Sequence, residues 1–483
     1  MVDWKSRIKK ITPFKWLIPE TGSMNVPGII YISESMLNRA IEDNVLQQVA
    51  NVACLPGIIS YSLAMPDVHW GYGAPIGGVA AFNKEKGIIA PGFVGYDINC
   101  GVRIIRSDII ASELNSERIE KLVQCLYASI PSGVGSTGRI ILKTKQIDEV
   151  LEHGARYALQ QGYGWNSDIE KTEENGCMKT ANSAAVSKRA KERGSDQLGT
   201  LGSGNHFLEI QKIVEIYDKE AAESFGLFEN QITIMMHTGS RGLGYQVCDD
   251  YLVKFGKVIS KYGITLPDRQ LACAPVNSNE GKEYFGGMSA AANFAWANRQ
   301  IITHWIRDCF EKTLQMSAEK IGLSVIYDVA HNIAKYEKHS FEGKSDYVYV
   351  HRKGATRAFP AGHNAVCDAY KNIGQPVLIP GTMGTSSYIL VGTQKAMEET
   401  WGSTCHGAGR VMSRSQAIKK AKGRKIEKEL SELGILAKAK SMGGLAEEIP
   451  EAYKDVDEII KVVEQAGLSK KVAKMKPIAV IKG

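Results

Sequence analysis

Apolar and polar positions recur along this chain in two rhythms, one helical and one alternating. Residues 35–53 set Met36, Leu37, Ile41, Val45, Leu46 and Val49 at three- and four-residue spacings, which predicts a helix. Similar spacing predicts helices over 116–128 and 147–160. The strongest helical run is 288–313, MSAAANFAWANRQIITHWIRDCFEKT, and its small-residue start predicts close helix packing. Two short strands are expected around the Pro/Gly-rich loop of 15–33. Others are expected at Val79–Phe82, Val102–Ile105, DYVYVH (346–351), PVLIPG (376–381), SSYILVG (386–392) and the terminal PIAVIKG. Helical segments are expected over 413–433, which is strongly basic, and 450–466. Residues 171–200 are polar and basic and read as an exposed excursion.

Two further strand signals end alike. ITIMMH closes on His237 and SVIYDVAH on His331, each followed by small or polar residues. Strand ends are where α/β architectures assemble sites. From 65 to 106 the chain is glycine-rich yet too apolar for a linker, which predicts backbone packed close to a ligand or another strand. No repeat, heptad array or composition break divides the chain, and the candidate chemical residues run from Asp97 to His406. A cut would split them, so one large mixed α/β or α+β domain spanning 1–483 is expected.

Composition narrows this picture modestly. Hydrophobic residues make up 44% and charged residues 23% of 483, as in an ordinary globular protein with ample core. The net charge of +7 agrees with a polyanionic partner but does not select one. Nine scattered cysteines with no CxxC pair point to a reducing compartment. The basic N-terminus lacks the apolar run of a signal peptide, and no run approaches the roughly 20 apolar residues that span a bilayer. A soluble, cytoplasmic protein without a membrane partner is expected.

Candidate chemistry begins at Gly95–Gly101, GYDINCG, where Asp97 precedes Cys100 by three residues. In a straight strand these side chains face opposite ways, and the flanking glycines permit a bend that joins them. Histidines recur in Gly/Ser/Asn-rich settings: His206 in GSGNHFLE, His237 in HTGSRG, His331 in HNIAK and His406 in CHGAGR. With Asp97 and Cys100 they offer more N, O and S ligands than one tetrahedral ion needs. The mixture suits zinc, manganese or another first-row ion. His304 and His153 sit in helical patterns and read as structural, and His69 is left without a role. Glycine-rich turns at 202–204, 239–244, 381–384 and 407–409 expose backbone N–H groups that suit phosphate. Arg241, Lys353, Arg357, Arg410 and Arg414 lie in or near such turns. Metal ions, arginines and amide nests together stabilise charge in phosphoryl or nucleotidyl transfer. Neither GxxxxGK[ST] nor Lys-x-Asp-Gly is present, which disfavours a P-loop enzyme and a lysine nucleophile. His406 has two open roles, nucleophile at phosphorus or a further metal ligand.

The segments GYDINCGVR, GSGNHFLE, HTGSRG, YDVAHNIAK, HRKGATRAFP, PGTMGTSSY and CHGAGR occur in this order. In sequence and order they resemble the RtcB family of RNA-splicing ligases, its archaeal branch in particular. The resemblance runs from about residue 65 to Lys482. It implies an unusual mixed α/β fold around a metal-containing cleft. It also implies a GTP- and manganese-dependent ligase that joins RNA 2′,3′-cyclic phosphate or 3′-phosphate ends to 5′-hydroxyl ends, in tRNA splicing or RNA repair. Asp97, Cys100, His206, His237 and His331 would then hold two manganese ions, with Cys100 bridging, and His406 would carry GMP. Nucleotide contacts would fall on Asn205, His206, Phe207, Leu208 and Glu209, on His331 and Asn332, and on Pro380, Gly381, Thr382, Met383 and Ser387. His406, Gly407, Ala408, Gly409 and Lys482 complete the set. Glu209 would accept two donors from the guanine edge, which adenine does not offer. RNA is the expected partner, with archease as the helper the family often uses. The basic stretches 184–193 and 413–425 are candidate RNA contacts. Two other readings use the same residues: a binuclear phosphoesterase acting on RNA ends, and a non-catalytic RNA-binding protein with a structural metal.

Overall fold

A computed structural model describes residues 3–483, apart from the side chain of Met442. Two large sheets dominate a mixed α/β fold. The first has seven strands in the order Lys9–Thr12, Lys15–Ile18, Gly28–Tyr31, Ile58–His69, Ile76–Asn83, Lys344–Lys353 and Asn332–Phe341. The second runs Ser324–Ala330, Gly101–Ile110, Gln231–Thr238, Phe207–Ile216, Ser469–Lys482, Ser387–Gly392 and Pro376–Ile379. Leu436–Ala439 lies parallel beside Ser469–Lys482 as its eighth strand. The other neighbours in this second sheet are antiparallel.

The antiparallel order decides where chemistry sits. Gly101 pairs with both Thr238 and Ala330, Phe207 pairs with His237, and Lys482 pairs with Phe207. Strand starts therefore adjoin the ends of their neighbours, and Cys100, His206, His237, His331 and Lys482 reach one edge of the sheet together.

The predicted helix over 288–313 is longer than its periodicity indicated, running Asn279–Leu314 with Ser278 accepting from the Gly281 N–H as N-cap. Its 36 residues are about 54 Å long. Ala290, Ala291 and Ala292 are fully buried, so neighbouring backbone packs close. Farther along, the helix is polar and still buried. Asn298 exchanges hydrogen bonds with Thr200 (3.0 and 3.1 Å), and Arg307 grips both oxygens of Asp168 at 2.7 Å. Arg299 donates to both oxygens of Asp328 (2.8 Å each), to the Asn99 carbonyl and side chain, and to the Thr238 carbonyl (2.9 Å each). Arg103 reaches the same Asp328 at 2.7 Å.

Three expectations need correction. The helix expected over 35–53 is two, Glu34–Glu42 and Val45–Ala53, because Asn44 adopts φ +54°. Gly154, at φ +57°, likewise splits 147–160 into Thr144–His153 and Ala155–Gln160. Residues 171–200 are no exposed excursion: Met178, Val186, Ala190 and Leu198 enter the core beside the long helix. Their apolar positions form no periodic stripe because they sit on short separate segments, Ser183–Ala185 and Lys188–Gly194 among them, and not on one long helix.

Asp328 compensates two fully buried guanidinium groups. Asp328→Ala is expected to cost about 3–5 kcal/mol, since it strands buried charge. Asp108→Ala, at an exposed pair with Arg106, should cost less than about 1 kcal/mol. Chemical denaturation of both variants checks the contrast.

Candidate metal and nucleotide site

At the shared sheet edge the GYDINCG segment turns as a unit. The Cys100 N–H donates to the Asp97 carbonyl at 2.9 Å, closing a four-residue turn in which Asn99 holds φ +51°. The bend expected from two glycines is thus made by Gly95, at φ +101°, and by Asn99. Gly101 serves a different end: a Cβ there would meet the Val329 carbonyl at 2.3 Å and the Arg299 guanidinium at 2.9 Å. Asn99 is itself clamped, its N–H donating to the Asn332 carbonyl at 2.7 Å while Arg299 takes its side chain. The turn needs this support because a left-handed non-glycine residue carries backbone strain.

Two donor trios meet at Cys100: Cys100 with His237 and His331, and Cys100 with Asp97 and His206. Within each trio the ligand atoms lie within 4.8 Å of one another. Cys100 Sγ is 3.2 Å from His237 Nε2 and 3.5 Å from His206 Nε2. His237 Nε2 is 3.1 Å from His331 Nε2, and His206 Nε2 is 2.9 Å from Asp97 Oδ2. Burial, reinforced by neighbouring imidazoles, holds His237 and His331 well below the ordinary histidine range, so both are neutral. A neutral imidazole has the lone pair a metal needs. Burial works against the Asp97 carboxylate, yet the His206 hydrogen bond and Arg241 bring it down to about 2. Burial and Asp97 push the Cys100 thiol up, an effect a bound cation would reverse. Converging sulfur, nitrogen and oxygen donors around one shared thiol fit two first-row metal ions.

His406 follows the short strand Ser403–Cys405, whose partner strand begins at Ala355. The Ala355 N–H donates to the His331 carbonyl at 3.2 Å, and the His406 and His331 rings are 4.9 Å apart edge to face. Asp67, fully buried, aims one oxygen at His406: 2.5 Å to Nδ1, 2.9 Å to the backbone N–H, and 3.3 Å to the Gly407 N–H. Burial opposes its ionisation, but His406 outweighs that and holds its pKa below the usual range. An ionised carboxylate only accepts, so His406 donates from Nδ1, which leaves Nε2 as the ring nitrogen that Asp67 does not engage. Gly409, at φ +69°, lets the loop pass Asp67, where a Cβ would meet the Asp67 carbonyl at 2.2 Å.

A cavity of about 310 Å³ opens beside these groups, a size suited to a nucleotide. Asn205, Phe207, Glu209, Asn332, Pro380, Gly381, Thr382, Met383, His406, Gly407, Ala408, Gly409 and Lys482 line it with Cys100, His237 and His331. Burial raises the Glu209 carboxyl to about 7, against the pull of Gln211 and Lys482. Leu208 turns its side chain into the core instead. Ser387 supports from behind, its Oγ accepting from the Gly381 N–H at 3.1 Å. Of the five basic candidates, Lys353, Arg410 and Arg414 line the cavity. The Lys353 ammonium is already bonded to the Tyr72, Ala74 and Gly92 carbonyls, and Arg410 to Glu448. Arg241 stands behind the metal side, 3.0 Å from His206 Nδ1. Arg357 is not brought to the site: it is buried against Glu174 at 2.7 Å and Gln375 at 2.9 Å, which makes it an internal ion-pair partner. Sequence reading assigned nothing to Asp67, Tyr72, Tyr96, Glu448 or Tyr453. Asp67, His69 and Tyr72 stand in the glycine-rich MPDVHWGYG run, whose density was the one available signal.

Because Cys100 belongs to both trios, Cys100→Ala should lower the divalent first-row metal bound per chain by half or more. The variant should melt within a few degrees of the parent. Metal analysis after equilibrium dialysis, with a melting curve, checks both halves.

The family model described as "tRNA-splicing ligase RtcB" matches residues 48–483. Several curated proteins named tRNA-splicing ligase RtcB are similar over nearly their whole length. That of Archaeoglobus fulgidus is 52% identical over 478 residues, covering 99% of each chain. That of Thermococcus kodakarensis is 52% identical over 477 residues, again 99% of each. The Methanococcus maripaludis protein is 52% identical over 481 residues, covering 99% of this chain and all of its own. A buried donor cluster, a histidine held by a buried aspartate and a nucleotide-sized cavity thus stand on a chain matched along its length by these ligases, and it belongs to the RtcB family.

Proposed function

We propose that this RtcB-family enzyme is a GTP- and manganese-dependent RNA ligase. It joins a 2′,3′-cyclic phosphate or 3′-phosphate end to a 5′-hydroxyl end. The observation that carries the reading is the Asp67–His406 pair set against the His331 end of the donor cluster. Asp67 leaves the Nε2 lone pair of His406 free and aligned beside the cavity. Nε2 attacks the α-phosphorus of GTP, forming a P–N bond as pyrophosphate leaves with the electron pair. A 2′,3′-cyclic end is first opened by water, the P–O2′ bond breaking to give a 3′-phosphate and a 2′-hydroxyl. An oxygen of the RNA 3′-phosphate then attacks the phosphorus of the GMP carried on His406, and the P–N bond breaks, returning the electron pair to His406. Lastly the 5′-hydroxyl attacks the activated 3′-phosphate, losing its proton, and GMP departs. Two manganese ions on Asp97, Cys100, His206, His237 and His331 would supply positive charge for the phosphates. Arg414 adds a cation along the cavity wall, and Lys482 and Arg410 stand there around the shared Glu448 carboxylate.

Glu209 gives the base preference, accepting from guanine N1–H and the exocyclic amine. Accepting both requires the ionised carboxylate, so GTP binding should strengthen as pH rises through about 7. The donor residues span Asp97 to His406, which supports the whole chain acting as one domain. A cytoplasmic RNA substrate and an archease helper complete the proposal. No helix among the described residues is long and apolar enough to cross a membrane.

With labelled GTP and manganese the protein should acquire one covalent GMP. His406→Ala should abolish the label, and full labelling of that variant would refute the nucleophile. Asp67→Asn should slow labelling by about 10- to 100-fold through loss of ring orientation. Glu209→Gln should weaken GTP by about 10-fold or more and remove its preference over ATP, as read by competition binding. A phosphoesterase would cleave cyclic ends without ever taking up label.

A further inference from the structure

An aromatic strip leads out of the cavity and is not used by any step above. Tyr72 and Tyr96 line the cavity wall. Their rings meet edge to face at 5.4 Å, and Tyr96 stacks on Tyr245 at 4.6 Å with an interplanar angle of 23°. The Arg193 guanidinium lies 5.3 Å from the Tyr245 ring centre, steadied by a 2.9 Å hydrogen bond to Gln246. The strip is open to solvent: Tyr72 is 37% and Tyr245 46% exposed. Arg189 and Arg193 are exposed on the adjoining helix Lys188–Gly194. Core tyrosines elsewhere in the chain, such as Tyr284 and Tyr327, are fully covered, so solvent-facing ring surface here is not demanded by packing.

We propose that this strip binds single-stranded RNA and feeds its end to the His406 cavity. The inference rests on the ligase reading and specifies the surface that reading lacks. Aromatic faces stack on any base, and arginine adds both stacking and phosphate charge, the combination that suits sequence-tolerant binding of a single strand. Of the two basic stretches, 184–193 is the one that adjoins this strip. A ligase for varied RNA ends needs that tolerance near the reacting phosphate and base-specific contacts only for the nucleotide. Continuity with the cavity and the positive charge at the outer end favour RNA over a protein partner.

The test uses full-length protein, a fluorescent single-stranded RNA with a 3′-phosphate, and 2-aminopurine placed near that end. Tyr245→Leu should weaken binding about tenfold by anisotropy and lose the stacking quench of 2-aminopurine, whereas Tyr245→Phe should bind within about twofold of the parent. Arg193→Ala should weaken binding and lower the slope of log affinity against log salt by about 0.7. Melting curves establish that each variant is folded. Unchanged RNA affinity and quench in a folded Tyr245→Leu would overturn the proposal and leave the strip as packing or as a protein-docking face. Labelling by GTP without RNA is measured in parallel. Parent protein that binds RNA through the strip but takes up no label would sink the ligase chemistry and not the strip.

Discussion

The ion pair between Arg299 and Asp328 is the constraint from which the site follows. One guanidinium, fully buried on the long helix, spends its donors on Asp328, on the Asn99 carbonyl and side chain, and on the Thr238 carbonyl. Those acceptors belong to three strands or turns that lead to candidate metal donors: Asn99 adjoins Cys100, Thr238 adjoins His237, and Asp328 lies three residues before His331. Arg103 shares Asp328 from below. Burying such charges is expensive and is offset only when every donor is met. The arrangement therefore tolerates little displacement, and it transmits that rigidity to the donor atoms.

Sheet register does the rest of the positioning. Because the four strands that carry the donors are antiparallel neighbours, residues just before one strand lie beside residues just after the next. Cys100, His206, His237 and His331 are thereby gathered from more than two hundred residues of chain. His406 arrives by a separate small pairing, Ala355 with Cys405, which is tied to the His331 carbonyl. His406 and the donor cluster are thus coupled through one peptide unit and one ring contact.

Electrostatics divides the site into two parts. On the metal side, burial keeps His237 and His331 neutral while Asp97 stays ionised through His206 and Arg241. On the nucleotide side, an ionised Asp67 orders the His406 ring, and Glu209 sits close to neutrality in a pocket that also holds Lys482. Each carboxylate has its own partner: Asp97 has His206 and Arg241, Asp67 has His406, and Glu209 has Gln211 and Lys482.

Much of the site is legible in the sequence. Asp97, Cys100 and the histidine-bearing turns stood out because metal and phosphate chemistry require particular side chains in local glycine-rich settings, and the same local patterns carried the family resemblance. Helices and strands with clean periodicity, such as 116–128 and 346–351, were legible too, since spacing alone determines which face is apolar. Other features depended on distance in space. Asp67 is an ordinary turn-like aspartate in the sequence, and its role exists only because it packs beneath His406, over three hundred residues away. Arg357 stood in a basic, glycine-rich run yet is bound to internal carboxylates, and the apolar residues of 171–200 had no rhythm because they enter the core from short separate segments. The sequence determined which chemistries the chain can perform, because that is written in residue type and short-range spacing. Tertiary structure alone decided which groups share the GYDINCG turn and which are held away, because register and buried charge pairing act between residues that the chain keeps far apart.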